Sequence, residues 1–305
     1  MSEAPRRHLG CSQELARVSF AERALMFSCE GEQLAGILAG PSSPREPGIL
    51  IVVGGAQYRV GSHRQFVLLA RRLASQSHAV LRFDYRGMGD ATGAMRSFDD
   101  VGPDIAAAID ALCEASGMKQ VVLWGLCDAA SAALTYWQAA RDTRVRGMVL
   151  LNPWVRTEAG LARTRIKHYY WRRILDLKFW EKLFRGQVDL VGATRNFLRN
   201  FMAARGKRES HEADVASSFQ DRMAEGLQSF PGPILVIVSG RDLTANEFLD
   251  YTQSSSRWSG LLNRPNLVRC DIPDADHTFS SAQSRGEVEA LTLDWLHRSF
   301  PSEHR

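Results

Sequence analysis

Between positions 49 and 151 the sequence alternates short apolar-rich runs with glycine-rich loops and helical segments. Residues 49–53 are a continuous run of Ile, Leu and Val, and residues 79–83, 120–124 and 145–151 also read as strands. Runs of this kind are strands covered on both faces. Helical spacing fills the gaps at 66–73, 104–112 and 129–140. The pattern resumes with strands at 234–239 and 266–271, and residues 291–300 read as a closing helix. Alternation of this order predicts a mostly parallel central sheet flanked by helices on both faces. Ahead of it, residues 24–39 read as a hairpin turning at 30–33, and residues 41–47 as a turn-rich linker.

Residues 156–230 break the alternation. They are rich in Arg, Lys and aromatics, including Tyr169, Tyr170, Trp171, Phe179 and Trp180, and carry few strand signals. The expectation is an α/β core built from residues 1–155 and 231–305, with 156–230 as a basic helical cap insertion. Between 156 and 211 there are fourteen Lys and Arg against five Asp and Glu, a net +9 in a chain whose total is +4. Such asymmetry favours an anionic partner over that segment. No helix-turn-helix, zinc-finger or RNP pattern accompanies it, so nucleic acid is not expected.

The 305 residues suffice for a core needing neither disulfides nor metal. Five cysteines at irregular spacing, with no CxxC pair, fit a reducing compartment and no metal site. No signal-peptide pattern and no run of about 18 apolar residues is present, so a soluble, cytoplasmic protein is expected.

The strand at 120–124 runs directly into Gly125-Leu126-Cys127-Asp128-Ala129 and then a helix. This is a G-x-C-x-A variant of the strand–turn–helix that lifts a nucleophile above a sheet edge. Small flanking residues permit the turn, and the helix N-terminus behind it favours a thiolate. His277 follows the last strand, where a base is required. Asp242 follows the strand at 234–239 and can orient the imidazole, although it can equally cap the helix that begins near Leu243. Asp274 and Asp276 are rivals, but lie too near His277 in sequence to reach its far nitrogen easily. The backbone N–H groups of Ala56 and Asp128 are candidates for an oxyanion hole. The Asp128 carboxylate would disfavour a thiolate if turned inward, so it is expected to point away from the thiol, the alternative being a contact with substrate. Gly55, Gln57, His63, Arg64 and Trp154 are candidate pocket residues. For His63 and Arg64 the competing reading is a plain first helical turn capped by Ser62. The glycine-rich loop at 84–93 lacks a GK[ST] ending and is not a phosphate loop.

With these parts in place, the chain resembles the α/β-hydrolase superfamily over nearly its whole length. The matching pieces are Gly54-Gly55, Asp84-Tyr85-Arg86-Gly87-Met88-Gly89, the Cys127 elbow, Ser239-Gly240-Arg241-Asp242 and Asp276-His277. More narrowly, the stretch from Gly54 to Phe66, the Gly-Leu-Cys-Asp-Ala elbow and Asn152-Pro153-Trp154 resemble the exosortase A system-associated hydrolase 1 family. That resemblance implies a bacterial cytoplasmic enzyme encoded among exopolysaccharide and protein-sorting genes, with acyl-CoA ligase-like and acyl-carrier-like proteins in the same settings. Cys127 in place of Ser, and Ala129 in place of Gly, depart from the broad pattern and point away from ordinary esterase or lipase activity.

A Cys-His-Asp triad working through a covalent acyl-enzyme is therefore the expected chemistry. An acyl-cysteine is itself a thioester, so transfer from CoA or an acyl carrier is nearly thermoneutral, whereas an oxygen ester would have to go uphill. Activated esters and lactones remain within reach. No cofactor is expected, and the oligomeric state is left open. The competing reading is a non-catalytic α/β-hydrolase-fold interaction protein with a basic anion-binding cap.

Overall fold

A computed structural model of the protein describes residues 19–55, 57–156 and 218–301. Ala56 and most of the predicted cap, including its aromatic cluster, lie outside those residues. Eight strands form one sheet in the order β1-β2-β4-β3-β5-β6-β7-β8. They are β1 (Ala21–Cys29), β2 (Glu32–Gly40), β3 (Arg45–Val52), β4 (His78–Asp84), β5 (Val121–Leu126), β6 (Val145–Leu151), β7 (Ile234–Ser239) and β8 (Leu267–Ile272). β1 pairs with β2 and β2 with β4 in antiparallel fashion, and every later pairing is parallel. This is the mostly parallel sheet that the alternation predicts.

The hairpin turns more tightly than its sequence suggests. Only Glu30 and Gly31 lie between the strands, with φ of 48° and 86°. Two left-handed residues in a row are what a two-residue turn needs to match strand twist. The stretch read as linker already contributes to the sheet, because β3 starts at Arg45, opposite His78. The register slips between Arg45 and Ile49, where Pro47 has no N–H to give the ladder.

The described helices are α1 (Gln65–Ala74), α2 (Gly102–Ser116), α3 (Asp128–Ala140), α4 (Phe219–Ser229), α5 (Leu243–Ser254) and α6 (Ala282–Ser299). Strand periodicity sorts the core into two layers. Val121 and Leu123 of β5 join the cluster containing α2, α3 and α4 residues, while Val122, Trp124 and Leu126 join the one containing α1 and α6 residues. Trp124 meets Phe66 of α1 edge-to-face at 5.8 Å. The closing helix is longer than its periodicity reveals. It begins at Ala282, where the Ser281 hydroxyl accepts the Ser284 N–H at 3.0 Å, but its first turns (Gln283, Ser284, Arg285, Gly286) carry no apolar stripe.

α4, at the end of the region read as insertion, packs on α3. A Cβ on Gly226 would lie 2.2 Å from the Leu134 carbonyl oxygen, so only glycine allows this approach. The Gln220 side-chain amide donates to the Val155 carbonyl at 3.2 Å. Arg156 lies over the Trp154 ring at 4.6 Å and donates to Glu247 at 2.7 Å. A buried ion pair fixes the loop after β4: Asp104 of α2 accepts the Arg86 backbone N–H at 2.8 Å and its guanidinium at 2.7 Å. Among the described residues, no helix is long and apolar enough to cross a membrane.

Candidate active site

The candidate residues gather at the strand ends. Cys127 caps α3 with φ 63° and ψ −125°, a conformation that L-residues with a side chain avoid. Surrounding contacts hold it there. Its N–H donates to the Leu151 carbonyl at 2.8 Å, and its carbonyl accepts from Ala130 at 3.1 Å and from Trp154 at 3.2 Å. Gly125 is required because a Cβ there would lie 2.7 Å from the Ala129 carbonyl. Ala129 is itself fully buried, which explains the small residues at both ends of the motif.

His277 arrives from the loop after β8. Its Nδ1 lies 2.7 Å from Asp242 Oδ2, and Cys127 is its other hydrogen-bonding neighbour. With Nδ1 committed to the carboxylate, Nε2 is the nitrogen left for sulfur. The Asp242 hydrogen bond, then the one to Cys127, raise the His277 pKa to about 10 against the cost of burial. The ring is therefore an imidazolium at neutral pH.

Both sequence readings of Asp242 hold at once. Its carboxylate caps α5, accepting Thr244 N–H on Oδ1 and Ala245 N–H on Oδ2 at 3.0 Å each, while Oδ2 also meets the imidazole. The rival carboxylates are engaged elsewhere: Asp274 pairs with Arg241, and Asp276 accepts the Ser280 N–H at 2.9 Å.

Asp128 is engaged by backbone on the neighbouring loop. Its side chain turns into the loop after β3, where Oδ2 accepts the Gly55 N–H at 2.7 Å. A Cβ on Gly54 would fall 2.0 Å from Asp128 Oδ1, so the carboxylate occupies the space that glycine leaves. Burial pushes this carboxyl above its usual range, opposed by backbone N–H bonds and, more weakly, by the His277 charge. The Gly55 amide is thus already partnered. Of the two expected oxyanion donors, the Asp128 N–H opens α3 directly after Cys127 but is turned towards its own carboxylate, and Ala56 lies outside the described residues.

The same loop is pinned farther along. Arg59 N–H donates to the buried Asp84 at 2.6 Å, and its guanidinium bridges Asp84 and Asp90. Gln57 accepts the Ser62 N–H at 3.2 Å and so braces the loop. Ser62 does not cap α1 as expected. It opens a short 3-10 turn, and the position before α1 is taken by Arg64. His63 and Arg64 are exposed and both left-handed, with φ of 52° and 61°. His63 lies near enough to Asp276 to help lower its pKa, after the stronger effect of the Ser280 hydroxyl. Trp154 contributes its backbone N–H to Cys127 and Ser131 and stacks its ring under Arg156. Sequence reasoning gave no role to Asn152, which joins the ends of β6 and β7 and the His277 carbonyl. The only signal for it was an Asn-Pro pair directly after a strand.

A family model described as "Alpha/beta hydrolase family" matches residues 49–291. No curated protein sequence matches the chain significantly. Among solved structures, the Pyrococcus furiosus esterase Pf2001 superposes with a TM-score of 0.60 at 16% identity, covering 97% of this chain and 99% of that one. Est1E from Butyrivibrio proteoclasticus, solved with ferulic acid bound, gives 0.57 at 15% identity over 90% and 99% of the two chains. A putative hydrolase from Agrobacterium vitis gives 0.55 at 16% identity over 91% and 99%. These likenesses carry the fold, and the family match spans most of the sequence: the chain belongs to the alpha/beta hydrolase family.

Proposed function

We propose that the protein is a cysteine-dependent acyl hydrolase or acyltransferase whose triad is Cys127, His277 and Asp242. Its proposed substrates are thioesters of CoA or an acyl carrier. The observation that carries this reading is the His277 ring, bound through Nδ1 to Asp242 and neighbouring a cysteine in strained elbow geometry.

The Cys127 thiolate attacks the acyl carbonyl, and the tetrahedral oxyanion is met by the Asp128 N–H and the Ala56 N–H. Each such donor contributes about 3 kcal/mol to the barrier reduction. Collapse breaks the bond to the donor sulfur, which leaves with the proton of His277. The neutral imidazole then takes a proton from water, or from another acceptor, as it attacks the acyl-cysteine. Cys127 departs as thiolate and His277 is again imidazolium. Because the donor and the acyl-enzyme are both thioesters, neither half-reaction has to climb. The net +9 between 156 and 211 supports a phosphate-bearing or acidic-carrier donor, with the segment acting as a cap over the site. The resemblance to the exosortase A system-associated hydrolase 1 family supports a cytoplasmic role in exopolysaccharide or protein-sorting pathways.

Intact-mass spectrometry after incubation with acyl-CoA and acyl-carrier thioesters tests this. One acyl group is expected on Cys127 and none in Cys127→Ala. A broad panel that leaves the protein neither acylated nor turning over donor would overturn the thioester reading. Failure of Cys127 to react with a chloromethyl ketone would favour a non-catalytic interaction protein.

A further inference from the structure

Asn152 follows β6 with φ 42°, a left-handed conformation that Asn tolerates better than most residues, and is completely buried. Its side-chain amide is fully used. Nδ2 donates to Ser239 Oγ at 2.8 Å and to the His277 carbonyl at 3.2 Å, and Oδ1 accepts the Ser239 N–H at 2.9 Å. Its backbone N–H donates to Ile237 O at 3.1 Å. The residue before it, Leu151, accepts the Cys127 N–H. Ser239 lies three positions before Asp242.

One buried amide therefore binds the His277 main chain directly and Ser239, three residues before Asp242, from a position next to the carbonyl that accepts the Cys127 N–H. Only one of its contacts reaches the His277 loop. Besides the ring's own contact with Asp242, this bond to the main chain limits how far the imidazole can swing from the sulfur. We propose that Asn152 is a positioning residue that sets the distance between His277 and Cys127. The proposal rests on the Cys127–His277 reading and names the group that holds that pair in register.

Asn152→Asp isolates the link. It is isosteric, and its two oxygens can still accept from Ser239 N–H and Oγ–H, but it cannot donate to the His277 carbonyl. Asn152→Gly, which also tolerates positive φ, removes the amide without adding charge. The readout is the rate of Cys127 alkylation by iodoacetamide as a function of pH, well below each variant's unfolding midpoint. Both variants are expected to lower the neutral-pH rate by about tenfold or more, since small misplacements of reacting groups cost up to about 10²-fold. In a His277→Ala background neither should lower it further. Unchanged rates, or losses that add fully to that of His277→Ala, would overturn the proposal. So would failure of both variants to fold, which would make Asn152 a folding residue only. If His277→Ala itself leaves alkylation unchanged, the Cys127–His277 reading fails instead.

Discussion

The Asp128 carboxylate reaches across from the start of α3 to accept the Gly55 N–H at 2.7 Å. The residue next to the proposed nucleophile thus braces the loop that would hold the second oxyanion donor. Gly54 makes room for it, since any Cβ there would lie 2.0 Å from Asp128 Oδ1 and within 2.9 Å of backbone at Ala129. Gly54→Ala is expected to cost about 1–3 kcal/mol through overpacking. Asp128→Ala should recover part of that loss, because the nearest atom disappears. Urea unfolding of the two single variants and the double variant measures the coupling, and strictly additive losses would refute it.

Asp242 serves a helix and a histidine with the same two oxygens. Asp242→Asn keeps one acceptor for the cap but loses the charge facing Nδ1. Stability should drop by the loss of a helix cap, about 0.5–2 kcal/mol, and further near neutral pH, because the Asp242 contact is the first cause of the raised His277 pKa. Turnover of a reactive acyl thioester should fall by about 10⁴-fold, as when a triad carboxylate loses its charge. Comparing kcat with the thermal midpoint separates the two roles.

The raised pKa of His277 has a stability consequence with a definite sign. The folded state holds this proton up to about 10, while an unfolded histidine releases it near about 6.5. The contribution is therefore complete below about 6.5 and is lost as pH rises through about 10. Midpoints measured across that window should decline in the wild type. The decline should be shallower in His277→Gln, and parallel curves would contradict the assignment.

His78 works on the acid side and in the opposite direction. It is fully buried, its Nδ1 lies 3.1 Å from the Pro47 carbonyl, and burial lowers its pKa to about 4. Unfolding lets it bind a proton that the native state refuses, so stability should fall as pH drops from about 6.5 towards about 4. A histidine substitute that cannot titrate, His78→Gln, should flatten that part of the denaturation profile. An unchanged slope would show that the carboxylates alone govern it.

The parts legible in the sequence were those that leave a local or periodic mark. Unbroken runs such as residues 49–53 mark strands buried on both faces, and Gly125 with Ala129 mark a turn too tight for larger side chains. Asp242 was legible both as cap and as histidine partner because each role needs only a carboxylate directly after a strand. Ser62 was misread because capping depends on where the helix axis starts, and the chain instead enters α1 through left-handed His63 and Arg64. The Asp128 orientation followed from an absence, the missing Cβ of Gly54 on a different strand end. Asn152 was silent because its contact lies 125 residues away in sequence and runs to a main-chain carbonyl, which no side-chain pattern encodes.

The hydrogen bond from Gln220 to Val155 brings together the points where the chain leaves the core after β6 and returns to it before α4. The chain between them, residues 157–217, lies outside the described residues, and this contact is the doorway to it. Joining the two sides of that doorway by a short linker would leave the order of strands and the closure of the sheet untouched. The strand ends and the segment beyond that doorway can then be altered independently of one another.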